Sequence, residues 1–246
     1  AYHIPAVIAN AVAFVGPTDR FSQRHHVPIT VPSSLGAEGN LTSSTNDPAT
    51  LRALYNVGDA LGGQASSNKQ AVTAFLGQTY SADAEAAFFT KYLPEAADTP
   101  IGTVGDAITG GVTPGIEAML DIEYMPAMGA LNPTEFWGFS GSSPNDSQDE
   151  PFLTWLYTVG NTSDADVPLV FSTSYGEDET TEVPTAYSDR INIEFMKAGA
   201  RGISLLFASG DSGAAAVSGT SCPNGRFAPK WPSASPYITA VGGTNG

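Results

Sequence analysis

The stretch "TAYSDRINIEFMKAGARGISLLFASGDSG", residues 185–213, decides the fold class. Thr185 to Gly202 reads as an amphipathic helix ending in glycine, the residue that stops a helix in a left-handed turn at little steric cost. "ISLLFAS" then reads as a buried strand that feeds a glycine turn around Asp211. The same alternation recurs on both sides. "TEFWGFSG" has the pattern of a strand, "EPFLTWLYTVG" of a helix, "VPLVFSTSYG" of a buried strand, and "PYITAVGG" of a further strand. Repeated strand, helix and strand predict an α/β fold, a mostly parallel sheet with helices on both faces.

Earlier segments fit the same class. "DPATLRALYNV" has an N-cap aspartate and a proline at the first helical position. "SNKQAVTAFLGQ" leans to strand, and "SADAEAAFFTKYL" returns to helix with Ser81 as cap. "VTPGIEAMLDIEYMPAMGA" is helical, with Thr113 expected as cap and Pro114 at the first position. Before all of these, "SSLGAEGNLTSSTND" is small, polar and aperiodic, an exposed linker.

The chain has 246 residues, 41% of them hydrophobic, enough for a sizeable core. A net charge of −15 argues against nucleic acid or an anionic membrane as partner. The charge is uneven. Residues 1–30 carry Asp19 against Arg20 and Arg24, a net +1, and hold all three histidines. No apolar run is long enough to span a bilayer. Sequons at Asn40, Asn145 and Asn161 hint at secretion. A start at Ala1 without Met is expected of a piece excised from a longer chain. Cys222 has no partner within the chain, so it is either a lone thiol or paired outside these residues.

Three places bear on chemistry. Glu117 and Asp121 are four apart, one turn from each other on one helix face. An acidic solvated face accounts for that spacing. The neighbours Ile116, Met119, Leu120 and Ile122, however, make the helix apolar nearly all round and predict partial burial. Burial beside a like charge raises a carboxyl pKa and suits the group to proton transfer in mild acid. Asp211 follows a predicted strand, where sites form in doubly wound sheets, although a glycine-flanked turn aspartate has the same appearance. Ser221 lies in "SGTS", a tetrapeptide known from serine peptidases. Four prolines in "CPNGRFAPKWPSASP" preclude a helix after it, and His3, His25 and His26 all precede the linker. Ser221 reads as a loop serine.

Together, "GIEAMLDIEYM", "STSYG", "FMKAGARGISLLFASGDSG" and "WPSASPYITAVGGT" resemble, in order, the sedolisin family of serine-carboxyl peptidases, in its tripeptidyl-peptidase-like branch. The resemblance spans most of residues 47–246 and implies a subtilisin-like α/β fold. It implies Glu117 as general base, Asp121 as the acid that orients it, and Asp211 as the oxyanion-hole aspartate. Protonated, Asp211 could donate to a tetrahedral oxyanion. It also implies Ser174 and Gly176 on an edge strand along which substrate backbone lies. "AYHIPAVIANAVAFVGPT" resembles the end of the family prodomain. The expected organisation is therefore 1–30 prodomain end, 31–46 activation linker, and 47–246 part of the catalytic domain.

The family's nucleophilic serine and its calcium loop lie further along than Gly246, so neither the nucleophile nor metal ligands are expected in this chain. The resemblance leaves room for a partner of Cys222 in the same absent part; many relatives have a second cysteine where Ser235 stands here, so the local pairing of those relatives is unavailable in this chain. The expected partners are peptide or protein substrates and the prodomain, in a secreted, lysosomal or vacuolar protein. The alternative is a truncated, non-catalytic relative that binds peptides or a partner chain.

Overall fold

The computed structural model describes residues 11–12, 46–57, 68–97, 100–107, 114–129, 132–144, 149–179, 183–215, 222 and 225–244. The segments expected to be prodomain end and linker, 1–30 and 31–46, save residues 11, 12 and 46, lie outside these, as do Asn40, Asn145, Ser221 and the three histidines.

Eight strands are described: β1 (Gln70–Ala74), β2 (Ile101–Gly105), β3 (Thr134–Gly138), β4 (Val170–Thr173), β5 (Glu177–Asp178), β6 (Ser204–Ala208), β7 (Lys230–Trp231) and β8 (Thr239–Val241). Six form one sheet in the order β2-β3-β1-β4-β6-β8, every pairing parallel. β5 and β7 form a small antiparallel ribbon beside it. A parallel sheet needs crossovers, and five helices supply cover: α1 (Pro48–Tyr55), α2 (Ala82–Tyr92), α3 (Ile116–Met128), α4 (Phe152–Asn161) and α5 (Thr185–Ala200).

Alternate strand residues serve opposite faces. Ala71, Phe171, Leu205 and Phe207 pack with Trp155 and Leu156 of α4 and with Ile191 and Phe195 of α5. Val72, Ala74 and Phe136 point the other way, onto Ala118 and Ile122 of α3. Helices thus cover both faces, as the alternation predicts. Each fully buried Phe in the first cluster stabilises the fold by about 1.5–3 kcal/mol.

Local signals explain most boundaries. Asp47 caps α1 by accepting from the Thr50 amide at 2.8 Å, with Pro48 in the first turn. Ser81 caps α2 through the Ala84 amide. α5 ends at Ala200, and Gly202 follows with φ +79°. The start of α3 differs from expectation. Pro114 lies before the helix, Thr113 is outside the described residues, and Gly115 is the N-cap without a side-chain oxygen of its own. Gln78 replaces it: its Oε1 accepts from the Ala118 amide at 3.1 Å. Among the described residues no helix is long and apolar enough to cross a membrane.

Candidate active site

Parallel strands all deliver their C-terminal ends to one edge of the sheet, where ligand sites of such folds form. β4 ends at Thr173 and hands over to Ser174; β6 ends at Ala208 and hands over to the turn carrying Asp211. α3 brings Glu117 in its first turn and Asp121 one turn later. The interior of this edge is polar in one more place. The Thr73 hydroxyl of β1 donates to the Thr173 hydroxyl of β4 at 2.8 Å, fully buried.

Four of the five residues singled out in the sequence meet here. Ser174 Oγ donates to Asp121 Oδ1 at 2.8 Å. The other oxygen, Oδ2, is buried without a hydrogen-bond partner among the described residues. Burial, aided by the neighbouring Glu117 charge and opposed by the Ser174 hydrogen bond, pushes Asp121 up to about 8. Burial likewise raises Glu117; a hydrogen bond with Ser174 pulls it down, and the charge of Asp211 adds to the rise. Asp211 itself is exposed, on a turn entered through Gly210 at φ +80°. Glu117 and Asp211 are thus on the same side of the molecule and interact.

Gly176, the fifth, has a reason in packing. A Cβ there would lie 2.5 Å from the carbonyl oxygen of Trp231 in β7. The edge-strand expectation for "STSYG" also narrows. Ser172 and Thr173 belong to β4, which is paired on both sides, by β1 and by β6, so only Ser174–Gly176 run beyond the ladder. Between them, Tyr175 turns its ring into the core, edge-on to Phe75 with centroids 5.2 Å apart. That contact fixes the direction in which Ser174 and Gly176 leave the sheet.

Two residues that sequence reading passed over also shape the site. Gln78 sets the first turn of α3, and Lys230, 6% exposed, lies beneath the Asp211 turn. Their contacts are 40 and 52 residues away in the chain, so no local pattern announces them. Beside the Asp211 turn opens a largely apolar pocket of about 430 Å³, lined by Ser209, Ala214, Phe227, Lys230 and Ala240 among others. Cys222 is a free thiol here, with Sγ near the Ala214 carbonyl, and Ser235 bonds to Asn192 at 2.6 Å. Among the described residues no three His, Cys, Asp or Glu side chains gather to hold a metal ion.

No model of a protein family matches the chain. It is 38% identical to tripeptidyl-peptidase 1 of Bos taurus over 256 residues and to that of Homo sapiens over the same length, each match taking in 99% of the chain. The Mus musculus protein of that name is 37% identical over 249 residues. The chain spans 42% of the length of these relatives. A Pseudomonas sedolisin, a serine-carboxyl proteinase solved with two molecules of pseudo-iodotyrostatin, superposes with a TM-score of 0.55. That match covers 80% of this chain and 53% of that one at 16% identity, and shows the shared fold.

Proposed function

Because the chain belongs to the sedolisin family of serine-carboxyl peptidases, we propose that the protein containing it hydrolyses peptide bonds in acid solution through an acyl-enzyme. The observation that carries this reading is the meeting of Glu117, Asp121 and Ser174 with Asp211 at the C-terminal edge of a parallel sheet. Histidine has no role in it. The action is that of a tripeptidyl-peptidase or an endopeptidase.

Glu117 is the general base. Its raised pKa keeps it a useful proton acceptor in a range where an ordinary carboxylate is a weaker base. It takes the hydroxyl proton of a serine located outside residues 1–246 as that oxygen attacks the scissile carbonyl. It then delivers the proton to the leaving amine, and water completes hydrolysis of the ester by the reverse transfers. Asp121, protonated in acid, stands one helical turn from Glu117 as its neutral neighbour, while Ser174 fixes one of its oxygens. Asp211, in its protonated form, donates to the tetrahedral oxyanion. Ser174 and Gly176 offer the backbone along which the peptide lies.

The reading extends to organisation. Residues 1–30 are the end of a prodomain, 31–46 the linker cut on activation, and 47–246 part of the catalytic domain of a secreted, lysosomal or vacuolar protein. The test uses the natural full-length protein and a chromogenic peptide at acid pH. Glu117→Gln and Asp211→Asn each lower kcat/KM by about 100-fold or more, while Ser221→Ala leaves it within about 2-fold. A fully active Glu117→Gln protein would sink the proposal.

A further inference from the structure

The Asp211 turn is held from below by a buried cation. Lys230 of β7 is 6% exposed, and its ammonium donates both to the carboxylate of Asp178 in β5, itself 4% exposed, and to the carbonyl of Ala215 at 2.6 Å. Its stem runs directly under Gly210. A Cβ at that position would meet Lys230 Cγ at 3.2 Å and Cε at 3.4 Å. The turn is tied elsewhere by the Ser209 amide to the Val241 carbonyl, by the Ala228 amide to the Ala214 carbonyl, and weakly by the Cys222 thiol to that same carbonyl, among the bonds described. Asp178 in turn belongs to the segment that leaves β4 through Ser174 and Gly176, and Gly176 packs against the Trp231 carbonyl next to Lys230. One ammonium therefore joins the segment of Ser174 to the turn of Asp211.

We propose that Lys230 is a positioning residue: by bridging Asp178 to the Ala215 carbonyl beneath Gly210, it sets where Asp211 stands relative to Glu117 and Ser174. The proposal rests on the peptidase reading above. A buried ion pair adds little net stability over well-packed alternatives, yet losing one partner leaves an uncompensated charge. What this pair adds is a fixed relation between two chain segments. Asp211 is exposed and on a glycine-flanked turn, so its direction must be set by whatever holds the turn. A donor to a developing oxyanion acts only in the transition state, and its displacement lowers kcat rather than substrate binding.

The experiment uses the full-length protein with Lys230→Met, the double variant Lys230→Met/Asp178→Asn, and Glu117→Gln as a reference. Thermal melting, kcat and KM normalised to folded protein, and inhibition by a peptide aldehyde that forms a tetrahedral adduct are measured together. Lys230→Met is expected to lower kcat by about 10- to 100-fold, with KM within about 2-fold and aldehyde affinity falling in parallel with kcat. The double variant also neutralises the carboxylate that Lys230 faces, so its melting temperature recovers in part, but the bond to Ala215 is still missing and kcat stays low. Should Lys230→Met fail to fold, the double variant decides. A double variant with wild-type kcat, or a loss confined to melting temperature, overturns the positioning role. An active Glu117→Gln instead overturns the peptidase reading beneath it, so the two failures are told apart.

Discussion

Asp121 is the residue whose surroundings demand most of its protonation state. One oxygen is held by the Ser174 hydroxyl, the other is buried with no partner described, and Glu117 stands one turn away. In the unfolded chain it titrates near 3.8; in the fold, burial and then Glu117 push it up to about 8. Between those values the folded state binds the extra proton, so stability is greatest below about pH 4 and falls as pH rises toward about 8. Asn keeps the acceptor for Ser174 and removes the titration. Thermal melts of the wild type are therefore expected to drop between pH 4 and pH 8, and those of Asp121→Asn to drop distinctly less. Equal slopes would show that Asp121 is not the group responsible. Glu85, raised to about 6 by burial and by Glu123, accounts for part of what remains. The pairing of Glu117 with Asp121 was legible because helical spacing is local and the apolar neighbours signalled burial. The hydroxyl of Ser174, 53 residues from Asp121, had no such signal as its partner.

At the scale of elements, the short β5–β7 ribbon is the part that ties the site segment down. Gly176 meets the Trp231 carbonyl so closely that any Cβ requires the ribbon to shift. Gly176→Ala is expected to destabilise the protein by about 1–3 kcal/mol, read from the denaturant midpoint, and to lower activity of the folded protein at the same time. An unchanged midpoint would mean that the ribbon yields freely. This ribbon was invisible in the sequence, since two-residue strands have no periodicity to read. β2 is illegible for a related reason: two of the five residues of "IGTVG" are glycine, and its burial follows no strict alternation. By contrast, α5 and β6 were plain. A sixteen-residue helix with one buried stripe, Tyr187, Ile191, Glu194, Phe195 and Ala198, handing over to Leu205 and Phe207, leaves little choice of class. The α3 start was misplaced by two residues because Gln78, from a different segment, caps it in place of a local side chain.

For the whole molecule, charge is the dominant fact. The chain is at −15, while residues 1–30 are at +1. We expect that basic segment to be attracted to the acidic remainder near neutral pH, and falling pH to protonate carboxylates and weaken the attraction, exposing residues 31–46 to cleavage. Incubating the full-length precursor at pH 7 and at pH 4 and following its size on a gel checks this. Processing at equal rates would remove the electrostatic account.

The order of strands bears on how such a chain is made. β1, the first of the described strands along the chain, lies between β3 and β4, which are made some sixty and a hundred residues later. Among the described strands, β1 therefore has neither neighbour until β3 emerges, just over half of the way along these residues. Growth proceeds outward from a centre that must wait, so the early chain is the stage most in need of shelter by chaperones.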